Sequence, residues 1–279
     1  MLGHRVVEEL GLDHEVLARA RAPEGKTAGL DLHDRNAVRA ALETASPEVV
    51  VNCAAYTAVD DCESNREAAY LTNAVAVENL AWACREVGAS IFHISTDYVF
   101  DGEKGEAYDE WDEPNPRSVY GRSKLAGEQA VLRSGARFWI GRVQWLYGEG
   151  GRNFADTILG ASRQKPMLRV VDDQMGCPTY TGDVARQIAL LIESGRHGLY
   201  HMSARGQTSW FGFTKALLAA EGREDYHVEP CTTAEFPRPA PRPRNSVLRN
   251  LALELSIGDD MPEWERGLEQ FMARRKAKV

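Results

Sequence analysis

The sequence predicts an α/β protein in which helices cover both faces of a doubly wound parallel sheet. Two short runs, residues 49–52 and residues 91–94, are dominated by apolar and β-branched side chains. Such runs are typical of parallel strands, which are buried on both faces. Amphipathic stretches separate them, which favours repeated strand–helix–strand units. With 279 residues, 43% of them hydrophobic, the chain can bury a large core in one domain or in two unequal ones.

The predicted elements follow one another along the whole chain. Strands are predicted at residues 15–20, 29–32, 49–52, 91–94, 138–143, 167–171 and 198–202. Helices are predicted at residues 4–10, 66–86, 183–192, 210–220 and 261–276, and from residue 119 onward. The strand segments are rich in β-branched or aromatic residues, whereas the helical segments place apolar residues on one stripe. A run of prolines and arginines at residues 236–243 is typical of an extended, solvated segment or of a peptide-module ligand.

The long helix at residues 66–86 carries one polar residue inside its apolar stripe. Asn73 shares that stripe with Ala69, Val77 and Cys84. A buried amide needs hydrogen-bond partners. We therefore expect Asn73 to bond the backbone of a loop, with positioning of a cofactor as the second interpretation.

The charge and the apolar content exclude two classes of partner. The net charge of −8 argues against nucleic acid as a general partner and suits an enzyme that selects anions through local basic groups. No run of apolar residues approaches the ~20 residues that are needed to cross a bilayer. The amino terminus has no basic-then-apolar signal pattern. We expect a cytoplasmic protein that binds neither nucleic acid nor membrane.

The metal-ligating residue types show no metal-binding spacing. The five cysteines are odd in number and form no C-x-x-C pair, and the seven histidines include no H-E-x-x-H. We expect reduced thiols and no metal site. His93, inside a predicted strand, is expected to be a packed core residue.

Residues 90–128 hold the clearest chemical pattern. The predicted strand stops at three polar residues that include Thr96, at the edge where a parallel sheet opens onto a ligand crevice. Tyr120 and Lys124 follow, four residues apart on one helix face. A positive charge beside a phenol lowers its pKa from about 10 toward working pH, so Tyr120 becomes a usable proton donor. With Thr96 as a second donor, a ketone oxygen is held by two groups while a hydride reaches its carbon.

The same residues have a purely structural interpretation. Tyr and Lys at helical spacing occur by chance in many amphipathic helices. The order of strand, Ser-Thr pair, loop and Tyr-x-x-x-Lys favours the catalytic interpretation.

Several segments, taken in order, resemble one enzyme family. They are VVVNCAAYTAVDDCES at 49–64, LTNAVAVENLA at 71–81, STDYVFDG at 95–102, SVYGRSKLAGE at 118–128, DDQMGCPTY at 172–180 and PRPRNSVL at 241–248. Together they resemble the extended short-chain dehydrogenase/reductases, and within them the dTDP-4-dehydrorhamnose reductases, over nearly the whole chain. The resemblance implies a Rossmann-like doubly wound sheet with a smaller, mixed α/β substrate-binding domain. It also implies that Thr96, Tyr120 and Lys124 are the catalytic residues.

The resemblance further implies domain boundaries. Residues 1–145 plus about 181–205 would form the dinucleotide-binding domain, and about 146–180 and 206–279 the substrate-binding domain. Gly3 resembles the third glycine of the family's G-x-x-G-x-x-G. We expect the sheet to lack the first strand and the start of this Gly-rich loop.

The implied cofactor is NADPH, with NADH as the alternative. Arg21 follows the predicted second strand, where a cation suits a ribose 2′-phosphate and an acid suits NADH. Arg19 competes for this role, and a solvated charge is an equally good interpretation. The other implied cofactor contacts are Gly3, Asp31, Leu32, Cys53, Ala54, Ala55, Tyr56, Asn73, Tyr120 and Lys124.

The implied substrate is a small-molecule nucleotide sugar. Its expected contacts are Thr57, Val59, Tyr98, Trp145, Pro178 and Arg242. By resemblance Trp145 would stack on the sugar ring, and Pro178 would form a rigid wall. The Arg242 guanidinium would pair diphosphate oxygens, with Arg244 as reserve.

Reduction of the 4-keto group of dTDP-4-dehydro-L-rhamnose is the function that the resemblance implies, and another nucleotide-sugar reductase is an alternative. Related dehydratases carry an Asp-Glu pair after the threonine, whereas Tyr98 follows Asp97 here, which disfavours water elimination. The regulatory β subunit of methionine adenosyltransferase, which resembles the same family, suggests a non-catalytic binding subunit. The missing start of the Gly-rich loop and Gln144 in place of the family's serine favour that alternative. Arg249 stands where the family has an aspartate, which removes an expected helix cap or substrate contact. A homodimer is left open.

Overall fold

The computed structural model describes residues 1–22, 25 and 27–277. Its helices are α1 (Leu2–Leu10), α2 (Arg35–Ala45), α3 (Val59–Ser64), α4 (Arg66–Tyr70), α5 (Ala76–Val87), α6 (Val119–Ser134), α7 (Phe154–Gln164), α8 (Thr181–Ser194), α9 (Trp210–Ala220), α10 (Leu251–Ser256) and α11 (Trp264–Lys276). Its strands are β1 (Arg19–Ala20), β2 (Ala28–Gly29), β3 (Val49–Asn52), β4 (Ser90–Thr96), β5 (Phe138–Val143), β6 (Leu146–Tyr147), β7 (Leu168–Val171), β8 (Met175–Gly176), β9 (Thr179–Tyr180), β10 (Gly198–His201), β11 (Thr208–Ser209) and β12 (Val228–Cys231). A π-helical turn, Leu71–Val75, joins α4 to α5.

Four parallel strands form the central sheet in the order β10, β5, β4, β3. The bounds of β3 and β5 coincide with their predicted ranges. Strand β4 runs further than predicted and ends at Thr96, which pairs with Val143 at the end of β5. Thr96 therefore lies at the carboxyl edge of the sheet, where parallel α/β folds bind ligands.

Strands β1 and β2 form a separate two-stranded parallel sheet. Within residues 1–22, 25 and 27–277, β3 pairs with β4 alone. The predictions for β1 and β2 were too long, and the second was shifted by one residue at its start. Among the described residues, β1 and β2 pair only with each other, so their hydrogen-bonded ladder is limited to the two residues of each that face one another.

Helices cover both faces of the central sheet, as predicted. Phe92 and Trp139 point to the face covered by α1 and α8, whereas Ile91 and Ile140 point to the face covered by α2 and α5. Successive strand residues alternate between faces, so an apolar run buries against both layers.

A second core lies among α7, α9 and α11. Phe213 of α9 and Phe271 of α11 meet the ring of Tyr147, with centroids 5.2 and 5.4 Å away. The short strand pairs β6–β9, β7–β12 and β8–β11 border this core and include parallel and antiparallel pairings. The division into two domains stays a prediction.

Helix α6 begins where its sequence supplies a cap. The Ser118 hydroxyl accepts the N–H of Gly121 at 3.0 Å. Gly121 also lies against the backbone after β4, because a Cβ at this position would stand 2.1 Å from the Tyr98 carbonyl oxygen. Only glycine permits this approach, which brings Tyr120 to the end of β4.

Candidate active site

Two hydroxyl groups meet at the carboxyl end of β4. Thr96 ends the strand and Tyr120 lies in the first turn of α6, at 5% and 9% exposure. Burial raises the pKa of the Tyr120 phenol, and the nearby Thr96 hydroxyl opposes this rise. The Tyr98 ring meets the Tyr120 ring edge-on, with centroids 5.5 Å apart. The structure therefore brings these two predicted groups together.

Lys124 lies one turn beyond Tyr120, but its amine is directed elsewhere. Its Nζ donates to the Ile94 carbonyl oxygen at 2.6 Å and lies 3.5 Å from His93 Nε2. Burial lowers the pKa of Lys124 to about 8, although Glu128 acts to raise it. The prediction that Lys124 brings the Tyr120 pKa down is wrong for this structure, because desolvation prevails and raises it.

Asp97 is a further residue of this site, and no sequence pattern pointed to its role. Thr96 Oγ1 donates to Asp97 Oδ1 at 2.9 Å and accepts the Tyr98 N–H at 3.3 Å. Burial raises the pKa of Asp97 to about 6, while the Ser246 and Thr96 hydroxyls lower it. A threonine has one hydroxyl proton. An ionised Asp97 holds that proton, and a neutral Asp97 releases it toward a ligand.

A buried ion pair supports the wall behind these groups. Glu128 of α6 and Arg142 of β5 are 1% and 3% exposed. Two guanidinium N–H groups donate to the Glu128 carboxylate at 3.0 and 2.8 Å, and the Ser95 hydroxyl donates to the same carboxylate. This arrangement fixes α6 against β4 and β5.

Asn73 bonds loop backbone, as preferred in the sequence analysis. Its amide accepts the Tyr56 N–H at 2.8 Å and donates to the Tyr56 carbonyl at 3.1 Å and to Ser123 Oγ at 3.0 Å. The residue is fully buried. The polar atoms of Asn73 are used by the protein, and its contact with the cofactor stays a prediction. Asn73 positions the Tyr56 loop.

Small side chains form a trough beside the start of α1. A Cβ on Gly3 would lie 3.6 Å from Cys53 Cβ, Ala54 is exposed, and Ala55 is half-buried. The first-turn N–H groups of a helix suit phosphate oxygens. Burial raises the pKa of Cys53 to about 12, and the charge of Lys124 acts to lower it. These residues fit a flat, anionic dinucleotide.

Three of the residues expected to contact the cofactor lie at one strand edge. Arg21 follows β1 directly and Asp31 follows β2 by two residues, and both are exposed. Because β1 and β2 are parallel, their carboxyl ends share an edge. Leu32 is half-buried beside them. Their cofactor roles stay predictions.

Trp145 is sandwiched between two neighbours. Its ring stacks on Trp210 with centroids 3.5 Å apart and planes 6° apart. A Cβ on Gly176 would lie 2.3 Å from Cε2 and farther from Cζ2 and Nε1, at 2.6 and 2.7 Å. If Gly176 approached in the plane of the indole ring, its Cβ would be closer to Cζ2 and Nε1 than to Cε2. Gly176 therefore lies over a face of the ring. Because Trp210 stacks on one face, Gly176 covers the other.

The expected stacking of a sugar on Trp145 does not fit this arrangement. Both faces are covered, and a sugar stacks on Trp145 only after Trp210 has moved. Trp210 lies 65 residues further along the chain, so no local sequence pattern pointed to it.

Gln144 lies in the core and does not face the trough. Its amide donates to Ser203 Oγ at 2.7 Å and accepts the Cys177 N–H at 2.9 Å. It thereby holds the segment that leads to Pro178, which is buried just before β9. The glutamine serves a structural role here and gives no support to a non-catalytic protein.

The predicted substrate residues of three segments come together around Arg242. Its guanidinium donates to Asp60, and the Tyr98 phenol faces it as well. Thr57 and Val59 belong to the loop and helix start that carry Asp60. Hydrogen bonding from Arg242 lowers the pKa of Asp60. The reserve residue Arg244 is exposed.

The described residues add two facts about the kind of site. They contain no group of three or more His, Cys, Asp or Glu side chains that could hold a metal ion, and all five cysteines are thiols. Among the helices at residues 1–22, 25 and 27–277, none has the length and apolarity needed to span a bilayer.

Comparisons with known proteins agree with this geometry. Residues 1–277 match the family described as the RmlD substrate binding domain. The dTDP-4-dehydrorhamnose reductase of Burkholderia thailandensis is 39% identical over 269 residues, covering 89% of this chain and 90% of that protein. The structure of the dTDP-4-dehydrorhamnose reductase of Bacillus anthracis, in complex with NADP, has a TM-score of 0.92 at 38% identity, covering 98% of this chain and 95% of that one. The Clostridium acetobutylicum dTDP-4-dehydrorhamnose reductase has a TM-score of 0.90 at 40% identity, covering 99% and 96%. The chain therefore belongs to the RmlD substrate binding domain family, and its predicted Rossmann-like α/β fold is confirmed.

Proposed function

We propose that this chain reduces the 4-keto group of dTDP-4-dehydro-L-rhamnose to give dTDP-L-rhamnose, with NADPH as cofactor and NADH as the alternative. The observation that carries this proposal is the meeting of the Thr96 and Tyr120 hydroxyls at the end of β4, with Lys124 one turn further along α6. A ketone oxygen between two such donors is stabilised as negative charge develops on it.

Each catalytic side chain has one task in this proposal. Tyr120 donates its proton to the ketone oxygen, and its burial keeps that proton in place at neutral pH. Thr96 orients the oxygen, and Lys124 supplies a buried positive charge one turn further along α6. The nicotinamide, when bound, supplies the hydride to the carbonyl carbon. Gly3, Cys53, Ala54 and the first-turn amides of α1 would hold the dinucleotide.

The substrate is held from the opposite side. Arg242 would exchange Asp60 for the diphosphate of the nucleotide sugar, because guanidinium pairs both kinds of oxygen in the same geometry. Trp145 and Trp210 would form the wall beside the sugar. We include in the proposal the two-domain division given above, a cytoplasmic location and a homodimer.

The direct experiment follows NADPH absorbance after addition of dTDP-4-dehydro-L-rhamnose to the purified full chain. We expect oxidation of NADPH only with the keto sugar, and formation of dTDP-L-rhamnose in equal amount. A matched set of other nucleotide-sugar ketones tests whether a different reductase activity predominates. Tight NADPH binding, measured by fluorescence, together with no turnover of any keto sugar would overturn the proposal.

A further inference from the structure

A chain of three buried polar side chains lies behind the Lys124 amine. Asn52 ends β3 and pairs in register with His93 of β4. Asn52 Nδ2 lies 3.1 Å from His93 Nδ1, and His93 Nε2 lies 3.5 Å from Lys124 Nζ. The three residues are 4%, 0% and 2% exposed, so their hydrogen-bond roles are set by one another.

The first link fixes the Asn52 amide. The Ala54 N–H donates to Asn52 Oδ1 at 3.0 Å. Turning the amide around would place its NH2 group against that N–H, two donors facing each other. The NH2 group of Asn52 therefore faces His93.

The second link fixes the tautomer of His93. Its Nδ1 accepts from the Asn52 NH2 group, and a neutral imidazole carries one proton. Burial, followed by the charge of Lys124, lowers the pKa of His93 well below its ordinary value, so the ring is neutral. The remaining ring proton must lie on Nε2, which is the nitrogen that faces Lys124.

The third link acts on Lys124. An N–H directed at an ammonium opposes it, since both groups are donors, whereas an uncharged amine accepts that N–H. The Ile94 carbonyl at 2.6 Å is satisfied by either form of the amine. Two other groups, Glu128 on α6 and Cys53 after β3, favour the ammonium, and the Glu128 charge is shared with Arg142.

We propose that Asn52 and His93 form a positioning pair that sets the balance between the ammonium and amine forms of Lys124. The pair connects the backbone of Ala54, in the cofactor trough, to the catalytic lysine. The inference rests on the proposed function only in giving Lys124 a catalytic task, and its tests below do not use turnover.

The first test determines the His93 tautomer in the full-length protein by ¹⁵N NMR of the histidine side chains, with a His93→Gln variant to assign the signal. We expect a neutral ring protonated on Nε2 throughout neutral pH. A ring protonated on Nδ1 would overturn the proposal, because its Nε2 would then accept from Lys124.

The second test reverses the first link with Asn52→Asp. The new carboxylate accepts from both the Ala54 N–H and His93 Nδ1–H, so His93 Nε2 becomes an acceptor for the ammonium. We expect the tautomer to switch and the Lys124 titration, followed by ¹³Cε NMR, to move upward by about one pH unit or more. Asn36→Asp, on the exposed start of α2, adds the same charge and should move neither signal.

An upward titration without a tautomer switch would be simple charge attraction and would count against the pair. An unchanged Lys124 titration would also contradict it. If Asn52→Asp does not fold, the His93 tautomer of the wild-type protein still tests the proposal, because that tautomer determines whether Lys124 faces a donor or an acceptor nitrogen.

Discussion

The catalytic end of α6 and the arginine loop, residues 238–244, hold their charges in opposite ways. Near α6, Glu128 and Arg142 pair with side chains 1% and 3% exposed. In the arginine loop, Arg242 pairs with Asp60 at 17% and 31% exposure, and Arg238 approaches the same carboxylate at 3.7 Å with 53% exposure.

This difference in burial suits two different tasks, proton transfer near α6 and substrate binding at the arginine loop. A buried group changes its pKa and its hydrogen bonds with little help from solvent, so each contact at α6 carries a large effect. Exposed pairs are screened by salt and exchange readily. In the proposed mechanism, a loop that releases Asp60 and accepts a diphosphate benefits from that exchange, and a proton donor benefits from its absence.

The largest effect is expected from Tyr120→Phe. Removing the proton donor should lower kcat by about 10²–10⁴-fold while leaving the melting temperature unchanged, since the ring still fills its site. The measurement is steady-state NADPH oxidation with the keto sugar. Tyr226→Phe, whose hydroxyl only reaches the Lys165 carbonyl on the surface, is the matched control and should keep full activity.

Breaking the buried ion pair between Glu128 and Arg142 should strongly lower the free energy of unfolding. Glu128→Ala leaves the Arg142 guanidinium buried without its carboxylate, so we expect a loss of about 3–5 kcal/mol in the free energy of unfolding. Urea unfolding measures it. Glu43→Ala breaks an exposed pair with Arg39 and should leave the midpoint in place. Equal effects of the two variants would erase the contrast between the buried and exposed regions.

Asp97→Asn tests how burial acts on one carboxyl group. The pKa of Asp97 is raised to about 6, so its protonated form favours the folded state, and stability is lost as the pH rises from about 4 through 6. The variant lacks this loss. Relative to wild type it should gain up to about 3 kcal/mol between pH 4 and pH 7, measured by unfolding at each pH. A stability difference that is constant with pH would refute the raised pKa.

The smallest effect is expected in the arginine loop. Arg242→Ala should raise the KM for the nucleotide sugar by about tenfold to a hundredfold, with little change in kcat, because a charged hydrogen bond contributes about 1.5–3 kcal/mol. The wild-type KM should rise with salt, and that of the variant should rise less. Arg238→Ala, on the more exposed partner of Asp60, should change KM less than Arg242→Ala.

The sequence was most informative where one segment decides its own structure. Strands β3 and β5 were predicted to the residue because each is rich in β-branched or aromatic side chains. The Tyr120 helix was predicted from the helical spacing of Tyr120 and Lys124. The same local reasoning found that Asn73 bonds a loop.

The sequence was least informative where distant segments meet. The covering of Trp145 depends on Trp210 and Gly176, and the role of Gln144 depends on Ser203 and Cys177. The direction of the Tyr120 pKa was missed for a related reason, since spacing shows the nearby charge but not the depth of burial. Such contacts and such burial depend on how distant segments pack, and no periodic pattern in the sequence indicates them.

The central claim is that the Thr96 and Tyr120 hydroxyls act on one substrate oxygen. A double-mutant cycle of Thr96→Val and Tyr120→Phe tests it, with single-turnover NADPH oxidation as the readout. We predict that each substitution slows turnover strongly and that the double variant is hardly slower than the worse single variant. Rate losses that multiply independently, or a Thr96→Val variant with full activity, would contradict the claim.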